Sequence, residues 1–241
     1  MVEKISREEY LIMAKVYEST ERFPQMVEAI NKFVEMNPVL SKEERSLLNT
    51  GYKNIVAKQR VSWRELATRQ RTEEKNKKIV EYIIELRLEV EKEILGNTER
   101  LLAVIDKYLI PNAVDIESKV LYFKMKGDFL RFRAEVTEGD EYEKNYKESE
   151  KAYFEGYKLS EKLPISNPVR LGLALNFSVL YYEVILKKEE ALKIAKDAYD
   201  KSMTIIDDLD RNNSRDTILI IQLLKENLGL WNNDNEGESD K

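Results

Sequence analysis

The sequence predicts an all-α protein of nine helices, and three observations carry that prediction. Chain breakers are scarce, with 8 Gly and 5 Pro in 241 residues, while 35% of residues are charged, as expected when many helices each turn one face to water. The prolines (Pro24, Pro38, Pro111, Pro164 and Pro168) stand where helices should change direction. Between them apolar residues recur at three and four positions, as in Leu47, Leu48, Ile55 and Val56, and again in Ile79, Ile83, Leu86 and Val90.

Taken in order, with boundary errors of about two to four residues, the helices fall as follows. The first spans roughly 6–19 and opens on Ser6 and Glu9, a pair spaced to cap each other's backbone. The second, about 24–36, begins at Pro24, and the third, about 41–70, repeats the capping box with Ser41 and Glu44. The fourth and fifth follow over about 73–108 and 115–137. Asp140 with Glu143 resembles a third capping box, for a sixth helix over about 141–162. Asn167 before Pro168 starts the seventh, about 168–186, with the eighth and ninth over about 189–208 and 214–232. No strand-like alternation, Gly/Ser linker or 34-residue repeat is present, so residues 1–231 read as one helical domain. Residues 232–241, with Asp234, Glu236, Glu238 and Asp240, read as an acidic disordered tail.

Composition also excludes functions. The chain has no His and no Cys, which removes imidazole acid–base chemistry, thiol nucleophiles, disulfides and the usual zinc sites. Adjacent carboxylates such as Glu43 and Glu44 point to different helix faces, so no paired-acid site is predicted and no enzyme, metal or cofactor is expected. Charges at Glu3, Lys4, Arg7, Glu8 and Glu9 break up the start of the chain, so no secretory leader is expected. The longest apolar run, Leu171 to Leu186, contains Asn176, Ser178 and Glu183 and is too short and polar for a bilayer. A net charge of −5 argues against a nucleic-acid partner. A cytoplasmic protein is the expectation.

Two charged rows stand out. On the third helix Lys53, Arg60 and Arg64 fall at spacings of seven and eleven, within about 20° of one line. Such a row repels itself unless something anionic lies opposite. On the fifth helix Lys124 and Arg131 are seven apart with Asp128 between them, where its carboxylate can fix a neighbouring arginine. Arginines held in this way suit a doubly charged phosphate. The competing reading is a solvated helix face, since exposed pairs contribute little. Farther along, Asn176, Val179 and Glu183 share one side of a helix, and Leu223, Glu226, Asn227 and Leu230 share another, beside Trp231. Amides among large apolar groups suit an extended peptide, against the alternative of ordinary helix packing.

Four segments, SKEERSLLNTGYKNIV with WR after it, LIPNAVDIESKVLYFKMKGDFLRF, NPVRLGLALNFSVLYYEVI and TILIIQLLKENLGLW, resemble the conserved blocks of the 14-3-3 family in their usual order. The resemblance implies a bundle of nine antiparallel helices that dimerises through its N-terminal helices (about 1–110) and completes an amphipathic peptide groove with about 111–231. It implies a phosphoserine/phosphothreonine-peptide adaptor that clamps phosphorylated client segments. Phosphate would be held at positions matching Lys53, Arg60 and Arg131. Lys124, Asn176, Glu183, Asn227 and Trp231 would meet the peptide, with Leu175, Val179, Ile220, Leu223 and Leu230 as the apolar wall.

The sequence also departs from the family. Phe132 stands where a tyrosine hydroxyl normally donates to the phosphate, a loss of about 1–3 kcal/mol, or about tenfold to a hundredfold in affinity. Arg22 and Glu93 match an inter-subunit pair, but Gln25 and Glu89 replace a second one and Leu86 replaces a tyrosine, which predicts a weak homodimer or a different 14-3-3 subunit as partner. Gly96 with Asn97 is expected to interrupt the fourth helix at a cost of about 1 kcal/mol. Ser62 matches a serine phosphorylated in some members, and is expected to be a buried, unmodified interface residue. The alternative function is a structural interaction protein or heterodimer partner with weakened or lost phosphate recognition.

Overall fold

The computed structural model describes residues 4–73, 76–210 and 214–239, with side chains as far as Asn233. Regular structure among the described residues is helical throughout: α1 (Arg7–Ser19), α2 (Phe23–Met36), α3 (Lys42–Thr72), α4 (Lys77–Val104), α5 (Ile116–Glu135), α6 (Gly139–Ser160), α7 (Pro168–Val179), α8 (Lys188–Met203) and α9 (Arg215–Ser239). α4 and α7 run on into π-helical stretches, Ile105–Leu109 and Leu180–Ile185, and a 3₁₀ turn, Ile206–Asp208, follows α8. The predicted lengths of the fourth and seventh helices therefore hold, but their winding changes near the end. An apolar period of 3.6 does not separate i→i+5 from i→i+4 bonding over a single turn. No helix of the described residues is long and apolar enough to cross a membrane.

The caps work as their residue types require. Glu9 and Glu44 each donate a backbone N–H to the Ser6 and Ser41 hydroxyls at 3.2 Å, and each returns its carboxylate to the serine N–H at 2.7 Å. Asn167 accepts from the N–H groups of Val169 and Arg170 at 2.9 and 3.2 Å, with Pro168 at the first helical position.

Three expectations need correction. α6 begins at Gly139, so Asp140 lies inside its first turn and acts there as a charge at the helix N-terminus. α9 continues to Ser239, past the expected end near 232, with no proline in that stretch to stop it; Asp240 and Lys241 lie outside the described residues. α4 passes unbroken through Gly96 and Asn97. Side chains lace it there: Gln59 of α3 donates to Glu93 at 3.0 Å and accepts from Asn97 at 3.3 Å, while Arg133 donates to the Leu95 carbonyl at 3.2 Å.

The chain divides into two compact units, Met1–Val114 with Phe132–Glu138, and Asp115–Arg131 with Gly139–Lys241. α5 contributes to both, and its apolar residues accordingly lie on several sides: Val120, Met125 and Phe129 are buried in the second unit and Ala134 in the first. The first unit packs α1 to α4 around Met26, Ile30, Phe33, Leu48, Tyr52, Ile94 and Leu101. Tyr52 and Asn31 exchange hydrogen bonds at 2.8 and 3.1 Å inside it, and burial pushes the Tyr52 phenol up to about 12. In the second unit, glycine sets a close approach. A Cβ on Gly127 would fall 2.7 Å from the Tyr153 ring, so only glycine lets that ring lie flat against α5.

Candidate functional site

Each unit presents one cluster of charged residues, and each is built on a carboxylate of α5. In the first unit the uninterrupted α3 carries Lys53, Arg60 and Arg64 along one side, as their spacing requires. The anion that the row demanded is Glu135. Its Oε2 accepts from Arg60 Nε at 2.5 Å, and its Oε1 accepts from Arg64 Nε at 2.5 Å. One carboxylate is thus shared between two guanidinium groups. Phe132, one turn earlier on α5, places its ring centroid 4.0 Å from the Arg60 guanidinium carbon. Arg60 is therefore held along one edge by charge and across one face by an aromatic ring, which fixes the plane of its fork. Lys53 is half-buried, while Arg64 is exposed.

In the second unit Asp128 is 1% exposed. Its Oδ2 accepts from Lys124 at 2.8 Å, and its Oδ1 accepts from the Tyr153 hydroxyl at 2.5 Å and from Asn176 Nδ2 at 2.6 Å. Burial alone would lower the Arg131 pKa, but Tyr153, Asp128 and Glu183 outweigh it and raise it, so the guanidinium stays charged. Burial and Asp128 push the Tyr153 phenol well above its ordinary value, so it remains a neutral donor. Asp128 thus gathers Lys124 and Asn176 directly and favours the charge on Arg131, a broader role than fixing one arginine.

The expected peptide-contacting residues separate by exposure. Val179 and Ile220 are half-buried, and Leu223 and Leu230 are 38% and 63% exposed on α9, as is Leu219 at 55%. These three leucines fall within about 40° of one line along α9, so the exposed apolar stripe includes Leu219, which the sequence reading passed over. Leu175 and Trp231 are buried in the core of the second unit, Trp231 stacked on Tyr182 at 4.4 Å. Asn227 is half-buried and Glu183 exposed.

The residues expected at a dimer face all belong to the first unit. Leu86 and Glu89 are exposed on α4, and Gln25 is half-buried on α2. Glu93 is held by Gln59, and the Arg22 guanidinium lies 5.8 Å from the Tyr17 ring. Ser62 is exposed in the single chain and donates its hydroxyl to the Lys58 carbonyl at 3.2 Å. No group of His, Cys, Asp and Glu able to hold a metal occurs among the described residues.

Glu135 and Tyr153 were not singled out from the sequence. Glu135 follows Arg131 by one turn and reads as an ordinary intrahelical partner, whereas its cations come from α3. Tyr153 sits in a helix rich in charged residues and gives no signal of its own; Gly127 opposite it was the available hint.

The profile of the family described as 14-3-3 protein matches residues 13–232. The human 14-3-3 protein beta/alpha is 40% identical over 235 residues, covering 97% of this chain and 96% of that protein. The 14-3-3 protein zeta of Bombyx mori is 40% identical over 238 residues, covering 98% and 96%. The 14-3-3 protein beta/alpha-1 of Oncorhynchus mykiss is 41% identical over 226 residues, covering 93% of each.

Proposed function

The chain belongs to the 14-3-3 family, and from that premise we propose that it is a non-catalytic, cytoplasmic adaptor that binds phosphoserine or phosphothreonine segments of client proteins. Lys53, Arg60 and Arg131 hold the phosphate. Lys124, Asn176, Glu183 and Asn227 meet the peptide, beside the apolar residues Val179, Ile220, Leu223 and Leu230. The observation that carries the reading is the arrangement around Arg60, whose edge rests on Glu135 and whose face rests on Phe132. An arginine oriented before the ligand arrives loses less rotamer entropy on binding. Phe132 supplies that face without the hydroxyl, so binding is weaker by the value of one donor and is still present.

The protein acts in this reading as a dimer that pairs through α1 and α4, where Ile12, Val16, Tyr82 and Leu86 are exposed apolar residues. Arg22, Gln25, Glu89 and Glu93 supply the polar contacts. Two subunits present two phosphate sites, and a client carrying two phosphorylated segments gains avidity.

The test is fluorescence anisotropy with a phosphoserine peptide and its unphosphorylated twin. Binding of the phosphopeptide alone, lost in Arg60→Ala and in Arg131→Ala, is expected. Equal binding of both peptides, or binding of neither, overturns the reading in favour of a helical scaffold or heterodimer partner.

A further inference from the structure

We propose that α3 carries a second anion subsite, built on Arg71, that receives an acidic side chain of the client about five residues from its phosphorylated residue. The inference rests on the phosphate-binding role proposed for Lys53 and Arg60.

The cationic row of α3 does not end at Arg64. Lys53 and Arg71 are 18 positions apart, five turns at about 3.6 residues per turn, and α3 is continuous from Lys42 to Thr72. Arg71 therefore falls on the same line as Lys53, Arg60 and Arg64. It lines a groove of about 550 Å³ in the first unit together with Trp63, Arg64, Thr68, Arg87 and Glu138. The wall is fixed from behind: Glu91 Oε1 accepts from the Trp63 indole N–H at 2.8 Å and from Arg87 at 2.5 Å. Arg71 itself is exposed at the far end.

Charge selects the ligand. Around the groove Arg64, Arg71 and Arg87 stand against Glu91 and Glu138, which leaves one positive charge over this stretch. One carboxylate balances it, whereas a second dianionic phosphate would not be balanced. Distance selects the position. The 11 residues from Arg60 to Arg71 rise about 16 Å along the helix, and an extended peptide covers that length in about five residues.

The experiment uses the full chain and four fluorescent phosphopeptides, carrying Glu or Gln five residues before or five residues after the phosphoserine. On one of the two sides the Glu peptide is expected to bind about threefold tighter than its Gln twin at low salt, a gain that fades in about 0.5 M salt as an exposed pair must. R71A brings that ratio to one, and R71E brings it below one, in favour of the Gln peptide. A ratio of one on both sides in the unmodified chain, or a ratio that survives in R71A, overturns the subsite while leaving phosphopeptide binding intact. Failure of every phosphopeptide to bind overturns the proposed function and the subsite together.

Discussion

Asp128 and Glu135 stand seven residues apart on α5, and each gathers donors from other helices, yet their surroundings differ. Asp128 is 1% exposed and takes Lys124, Tyr153 and Asn176 within the second unit. Glu135 is partly open to water and shares its two oxygens between Arg60 and Arg64 in the first. The buried carboxylate has no substitute: if it leaves, its donors lose their partner and water does not replace it. The open carboxylate is exchangeable, because solvent screens its pairs and another anion can approach the same arginines. In the proposed function the two similar clusters thus serve as scaffold and as receptor.

The largest expected effect falls on the scaffold. Asp128→Ala leaves Lys124 and Tyr153 without their acceptor and is expected to cost about 3–5 kcal/mol in denaturant unfolding. A loss below about 1 kcal/mol, the size expected of an exposed pair, would make the two clusters equivalent and break the comparison.

Tyr153→Phe tests the same cluster more gently, removing one donor to a charged acceptor at a cost of about 1.5–3 kcal/mol. It also carries a pH signature. The folded-state phenol titrates well above its unfolded value of about 10, so its contribution is complete below pH 10 and is lost as pH rises above it. Tyr52, pushed up to about 12 by burial, behaves alike between about pH 10 and 12. Stability followed from pH 8 to 11 should therefore fall less steeply in Tyr153→Phe than in the parent chain. An unchanged slope would remove Tyr153 from the buried network.

A change outside both clusters calibrates them. A Cβ on Gly96 meets nothing within 4 Å, so Gly96→Ala is expected to stabilise the chain by about 1 kcal/mol through helix propensity alone. A destabilised variant would mean that α4 needs its glycine.

Helix positions were legible because capping and periodicity are local: Ser6 with Glu9, Ser41 with Glu44, and Asn167 with Pro168 each mark a start that needs no tertiary contact. The cationic row on α3 was legible for the same reason, since it follows from spacing on one helix. What faces it was not. Glu135 reaches Arg60 across 75 positions of sequence and Tyr153 reaches Asp128 across 25, and no single-helix pattern encodes such partners. Trp231 and Leu175 show the converse: an amphipathic pattern marked them as lining a surface, while packing placed them in a core. The interruption expected at Gly96 failed because Gln59 and Arg133, distant in sequence, lace α4 on either side of it.

Glu135→Gln is the smallest change in stability and the sharpest test of the receptor half. The amide keeps the shape and one acceptor oxygen, so unfolding should shift by less than about 1 kcal/mol. Binding should respond in the other direction. Removing the negative charge leaves Arg60 and Arg64 with an uncompensated positive charge near the proposed phosphate position, and an anion a few ångströms away gains on the order of 1 kcal/mol at an effective dielectric between those of water and protein. Phosphopeptide affinity is therefore expected to rise about fivefold, with a steeper dependence on salt. A fall in affinity would mean that orientation of Arg60 outweighs competition for it. Glu135 would then belong with Asp128 as scaffold, and Arg60 would owe its readiness for phosphate to a fixed carboxylate.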